Sequence, residues 1–257
     1  MNDPRASVAR FYDLDRAPLA DVPFYVSRLP GASARVLELG CGTGRVTLPL
    51  AEHCAFIQGI EISAAMLDIC RAKLRDAPAL SRKVAVGLGD ITTYNLGTTF
   101  DLIIAPYRVL QNLETDDEVA GLFRFIRTHL SAGGTCILNV FKPRYANAAS
   151  LIDAWSQPVE ALDWEDVTDA RIVTCHVRSG KVSSQPLVIY PDLIYRVREG
   201  AEPSEEIVFP LKMRCYFPEE FTSLFAKHGF HVVAQWGGYA GEQYGAGPEL
   251  VIQAKSA

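Results

Sequence analysis

Runs of consecutive apolar residues recur through the first half of the chain, separated by stretches whose apolar positions repeat every three or four residues. Residues 35–39, 55–60, 84–88, 100–105 and 135–141 form such runs and read as strands. Between them, 45–53, 64–75 and 116–130 have helical spacing. In the last of these, Val119, Leu122, Phe123 and Ile126 share one face. Ser63 stands where its hydroxyl can cap the helix at 64, and Gly133-Gly134 stops the region that begins at 116. Upstream, 13–29 reads as an amphipathic helix ended by Pro30-Gly31. Strands apolar on both faces, alternating with helices, predict a parallel sheet covered by helices on both sides.

The rhythm changes after residue 145. Residues 171–177, 187–197 and 206–216 read as three successive strands, with turns at Gly180-Lys181 and 200–206. That order predicts a small antiparallel sheet beside the parallel one. Pro218 then opens a helix over 219–228, and 230–236 and 250–254 return to strand character. The expected fold class is α/β, divided into a first segment 1–145, an inserted sheet 146–215 and a completing segment 216–257.

Composition narrows the function classes. The 257 residues carry 25 Lys+Arg against 30 Asp+Glu, a formal charge of −5, with no dense basic run. This argues against a nucleic-acid-coating surface. No apolar stretch approaches the roughly 20 residues that cross a bilayer, and the polar opening MNDPRASVARFYDLDR has no signal core. A cytoplasmic protein that binds neither nucleic acid nor membrane is expected, as a monomer or homodimer. The cysteines at 41, 54, 70, 136, 175 and 215 form no CxxC pair, and the histidines at 53, 129, 176, 228 and 231 form no HxxxH pair. Reduced thiols and no metal are expected.

Candidate chemistry concentrates at 36–44, VLELGCGTG. A strand that runs into Gly40, Gly42 and Gly44 and then a helix exposes backbone amides at the carboxyl edge of an open sheet. Without Cβ atoms the main chain can meet a ligand closely. A dinucleotide fingerprint would need a third glycine at position 45, which is Arg45, so a nicotinamide dehydrogenase is disfavoured. The spacing is instead E-x-G-x-G-x-G from Glu38. This resembles the first motif of class I methyltransferases that use S-adenosylmethionine, and the resemblance continues in strand order over about 34–141.

That resemblance implies a Rossmann-like fold with a seven-stranded mixed sheet and S-adenosylmethionine as cofactor. By the same resemblance, Glu38 belongs to the first motif with Gly40, Gly42 and Gly44. Glu61 binds the ribose hydroxyls, a role that suits an acceptor-only carboxylate. Asp90 and Ile91 follow the third strand at the adenine site, with Ile62 and Met66 as apolar neighbours of the base. Ala105 ends the fourth strand, where backbone carbonyls meet the methionyl ammonium. Ala105-Pro106-Tyr107-Arg108 lacks the Asn/Asp-Pro-Pro-aromatic motif of exocyclic-amide methylation, and no cysteine between 70 and 136 supplies the thiolate of cytosine-C5 methylation.

The later region resembles small-molecule N-methyltransferases, of the glycine/sarcosine type and of the kind that dimethylates amino sugars. The match lies in the inserted strands ending at 212–221 and in Phe11-Tyr-Asp13, whose Tyr12 is expected over the cofactor. Candidate catalytic residues are Tyr107, Tyr216 and His176, and candidate substrate contacts are Trp155, Arg214 and Tyr244. Methyl transfer to an amine of a small molecule is the leading expectation. An O-methyltransferase of a small hydroxylated metabolite and a non-catalytic S-adenosylmethionine-binding protein are the alternatives.

Overall fold

A computed structural model describes residues 3–15, 20–200 and 202–257. Seven strands form the main sheet: β1 (Arg35–Leu39), β2 (Phe56–Glu61), β3 (Val84–Leu88), β4 (Phe100–Ala105), β5 (Leu130–Phe141), β13 (Phe230–Trp236) and β14 (Glu249–Ser256). Their spatial order is 13-14-5-4-1-2-3. The first five are parallel to their neighbours, and β14 runs antiparallel to both β5 and β13. This is the Rossmann-like, mixed seven-stranded arrangement that the sequence led us to expect.

The continuous apolar runs are explained by two-sided burial. Along β1 and β4, Leu37, Leu39, Ile103 and Ala105 join one core cluster, whereas Val36, Leu102 and Ile104 join the other. On the first face pack α4 (Asp116–His129) and α6 (Pro218–Lys227), through Phe123, Ile126, Phe221 and Phe225. On the second pack α1 (Asp21–Ser27) and α2 (Thr47–Ala51), through Phe24, Tyr25 and Leu50. The helix α3 (Ala64–Asp76) is capped as expected: the Ser63 hydroxyl accepts from the Met66 amide at 3.2 Å. A capping box between Thr115 and Glu118 opens α4.

Two local readings change. The helix expected over 13–29 is limited to α1 among the described residues, and 16–19 lie outside them. Residues 9–14 are a short 3-10 turn. Its Phe11 stacks on Tyr195 at 5.0 Å between ring centres, while the Asp13 carboxylate accepts from the Thr43 hydroxyl and pairs with Lys73. The N-terminal segment thus touches both the core and the inserted sheet.

The insertion holds more strands than the three expected. After α5 (Ala148–Trp155) come β6 (Glu160–Val167), β7 (Ile172–Arg178), β8 (Val182–Ser184), β9 (Leu187–Ile189), β10 (Asp192–Glu199), β11 (Glu202–Pro210) and β12 (Met213–Arg214). They form two antiparallel sheets, ordered 11-10-7-6 and 12-9-8. The expected strand 187–197 divides at Pro191 and the expected strand 206–216 divides after Pro210. A proline has no amide to give a ladder, so each division follows from the sequence.

Candidate functional site

The turn after β1 is built for close approach. Gly40 and Gly42 take left-handed φ values of +67° and +56°. A Cβ on Gly40 would lie 2.6 Å from Val109 Cγ2, and one on Gly42 would lie 3.3 Å from Met66 Cε. Bare backbone is therefore required on steric and conformational grounds. The Gly40 and Cys41 amides donate to the Ile60 carbonyl at 2.8 and 3.1 Å, which ties the turn to the end of β2.

Glu61, at that strand end, is almost fully buried. Its Oε2 accepts from the Gly42 amide at 3.0 Å, and its Oε1 accepts from the Ile62 and Ser63 amides at 2.9 Å each. The carboxylate therefore binds the first turn to the second. Asp90, after β3, accepts from the amide and hydroxyl of Thr92, both on Oδ1.

These strand ends floor a chamber of about 1310 Å³. Gly40, Gly42, Glu61, Ile62, Met66, Asp90 and Ile91 line it on the main-sheet side, with Tyr12, Tyr107 and Trp155. Trp164, Cys175, Val177, Leu193 and Tyr195 of the inserted four-stranded sheet line it as well. The structure thus brings ten of the expected site residues together around one space. The Tyr12 and Tyr107 rings meet edge to face at 6.4 Å between centres.

Tyr107 and Arg108 form a strained corner after β4, with φ of +54° and +69° in non-glycine residues. Their surroundings hold them there. The Arg108 amide donates to Asn139 Oδ1 at 3.2 Å, its guanidinium pairs with Glu249, and Asn139 Nδ2 donates to Glu249 Oε2 at 3.0 Å. The Tyr107 hydroxyl donates to Asp15 Oδ2 at 2.9 Å. Arg45, which also lines the chamber, donates twice to the buried Asp21 carboxylate, at 2.7 Å each, and its guanidinium lies 5.5 Å from the Tyr107 ring centre. Asp15, Asp21, Arg45, Arg108, Asn139, Asp163 and Glu249 were absent from the sequence candidates. Only Arg45, in the position a dinucleotide turn gives to glycine, carried a local signal.

Seven candidates lie outside the chamber lining. Glu38 is 2% exposed, accepts from the Thr47 hydroxyl at 2.6 Å, and has its pKa pushed up to about 8, chiefly by burial. Gly44 packs against Leu48 and Cys70, and Ala105 is buried in the core. His176 sits beside Glu160, which also pairs with Arg196, on the outer face of the four-stranded sheet. That parity follows from β7, where Val173 and Cys175 point inward. Arg214 donates to Asp116 Oδ1 at 2.6 Å and to the Glu114 carbonyl. Tyr216 is buried against Phe221, and the Tyr244 hydroxyl donates to the Pro218 carbonyl at 2.9 Å.

Among the described residues no group of His, Cys, Asp or Glu could hold a metal ion, and no helix is long and apolar enough to cross a membrane. All six cysteines are buried and free.

Comparison with known proteins agrees with this geometry. Residues 36–134 match the family described as methyltransferase domain. The structure superposes on that of the CcbJ methyltransferase from Streptomyces caelestis with a TM-score of 0.79 at 22% identity, covering 99% of this chain and 97% of that one. In sequence the chain is 29% identical over 150 residues to the cypemycin N-terminal methyltransferase of a Streptomyces species, covering 56% of this chain and 59% of the relative. It is 29% identical over 112 residues to a dTDP-4-amino-2,3,4,6-tetradeoxy-D-glucose N,N-dimethyltransferase of Saccharopolyspora spinosa, covering 44% and 42%. The chain thus spans about half the length of these curated relatives. Residues 36–134 thus match a methyltransferase domain, and the fold is that of Rossmann-like methyltransferases.

Proposed function

We propose that this protein transfers a methyl group from S-adenosylmethionine to an amine nitrogen of a small-molecule acceptor. The observation that carries this reading is one chamber with two kinds of wall. Strand ends bearing Gly40, Gly42, Glu61 and Asp90 face aromatic and acidic side chains from the N-terminal segment, the Tyr107 corner and the inserted sheet. A donor and an acceptor can share such a space.

The first wall fits the cofactor. A side chain on Gly42 would crowd Met66 Cε, so the bare backbone leaves the floor open. Glu61 has three of its acceptor sites taken by amides and keeps one on Oε2 for a ribose hydroxyl. Asp90 keeps Oδ2 for the exocyclic amine of adenine, and Ile62 and Met66 offer apolar surface to the base. Bound there, S-adenosylmethionine would supply an electrophilic methyl to the acceptor nitrogen, with sulfur as the leaving group that keeps the bonding electron pair.

The chain's own work is orientation and exclusion of water. In this reading residues 146–215 act as the lid over the acceptor, set between the core segments 1–145 and 216–257. On the same reading the rings of Tyr107, Trp164 and Tyr195 wall the acceptor side, and Tyr12 stands near the Gly42 turn on the cofactor side. An amine acceptor is supported by the two relatives named above, one acting at a peptide N-terminus and one on an amino sugar.

Thermal unfolding with and without S-adenosylhomocysteine tests the first step. At a hundredfold excess over Kd, linkage stabilises the folded state by about 2.7 kcal/mol. Absence of any shift overturns the cofactor reading. Mass spectrometry over a panel of amino sugars and their hydroxy counterparts then tests the acceptor atom.

A further inference from the structure

The pairing of β6 with β7 slips at one place. Leu162 opposes His176 and Trp164 opposes Cys175, which leaves Asp163 as an extra residue with no partner across the ladder. Glu160 and Leu162 oppose Arg178 and His176 on the outer face, so alternation turns Asp163 toward the chamber. The bulge then brings Trp164 to the same face, opposite Cys175, so that both side chains line the chamber; bulges beside active sites commonly re-aim a side chain in this way.

Asp15 lines the chamber too, and it accepts from the Tyr107 hydroxyl. Two carboxylates and a phenol therefore converge from three separate elements. The nearby Arg108 guanidinium is already committed to Glu249. The Asp163 carboxyl is held above its ordinary range by the crowding of its surroundings and then by the charge of Asp15, with Arg108 opposing. Asp163 itself remains accessible to solvent.

We propose that Asp163, which lines the chamber beside the bulge, determines acceptor specificity by pairing with the acceptor's ammonium group. This rests on the methyl-transfer reading and narrows its acceptors to aliphatic amines that arrive protonated, as distinct from alcohols and amides. Before attack the nitrogen must lose one proton. That proton passes from the ammonium N–H to a carboxylate oxygen of Asp163, giving a neutral amine and a carboxylic acid, which then releases it to solvent.

The test compares wild type with Asp163→Asn and Asp163→Glu. For an amino sugar that the wild type methylates, Asp163→Asn raises KM at least tenfold and Asp163→Glu recovers part of the loss. The Kd for S-adenosylhomocysteine stays within twofold, which also shows that the variants fold. An unchanged KM in Asp163→Asn, or wild-type turnover of hydroxyl acceptors alone, overturns the proposal and leaves the cofactor reading intact. If no panel member reacts, sinefungin decides, because it carries an amine where the methyl would sit. Asp163→Asn must weaken sinefungin at least fivefold more than S-adenosylhomocysteine, and equal changes overturn the proposal. Failure of the wild type to bind S-adenosylhomocysteine overturns the cofactor reading instead.

Discussion

Arg108 and Glu249 stand 141 positions apart in the chain, yet the guanidinium of one donates through Nε and Nη2 to a single carboxylate oxygen of the other. Glu249 begins β14, and Arg108 occupies the left-handed corner after β4. The last strand of the sheet therefore fixes the corner that presents Tyr107 to the chamber. Two left-handed non-glycine residues cost on the order of 1–3 kcal/mol each, so the pair works against standing strain.

Glu249→Ala removes the acceptor for Arg108 and for Asn139 together. Loss of a charged hydrogen bond to partly buried groups predicts a destabilisation of about 1.5–3 kcal/mol. Urea unfolding measures it. Glu249→Gln, which keeps one acceptor, should lose less.

Glu61→Ala should weaken S-adenosylhomocysteine by about 1.5–3 kcal/mol in calorimetric titration. It should also lower the urea midpoint, because three backbone amides lose their acceptor at once. An unchanged Kd would place the ribose elsewhere.

Gly40→Ala faces two separate costs, a left-handed φ and a Cβ 2.6 Å from Val109. We expect a destabilisation of about 1–3 kcal/mol. Adding Val109→Ala should recover the steric part only, so the double variant falls between Gly40→Ala and the Val109→Ala single variant. Unfolding of all three variants checks the partition.

Glu38 gives stability a pH dependence of definite sign. Its folded pKa, about 8, lies above its ordinary value of 4.5, so the folded state holds the proton more tightly than the unfolded state. The contribution is complete below pH 4.5 and is lost progressively as pH rises toward 8, with a slope of at most about 1.4 kcal/mol per pH unit. Glu38→Gln should flatten that slope in urea titrations at pH 5, 6.5 and 8.

Arg214→Ala should leave both S-adenosylhomocysteine affinity and methyl transfer within twofold of wild type. Its partner Asp116 is largely exposed, and such pairs contribute about 0–1 kcal/mol. A large loss of turnover would return Arg214 to the acceptor site.

The legible features of this molecule were local. Five apolar runs, the Ser63 cap and the glycine turn depend on residues adjacent in sequence, so pattern and spacing disclosed them. Strand β6 did not show itself because EALDWEDV is polar and mostly solvent-exposed, with an alternation that the bulge interrupts. The divisions at Pro191 and Pro210 were readable from the absent amide. The outward His176 was not foreseen: only the packing of Val173 and Cys175 in the folded sheet fixes which face of β7 is inner. The pairs Arg45–Asp21 and Arg108–Glu249 form only when distant elements meet, and spacing within one segment says nothing about them.

The N-terminal segment bears on how the chain acquires its shape. Arg10 pairs with Glu205, 195 positions away, and Phe11 rests on Tyr195. Asp13 finds Thr43 and Lys73 nearby in the chain, whereas Arg10 and Phe11 find their partners only in the inserted sheet. The parallel core can assemble from nearer neighbours, whereas such remote contacts close slowly. Closure of the segment bearing Arg10 and Phe11 onto the inserted sheet is thus a long-range step that follows assembly of the core.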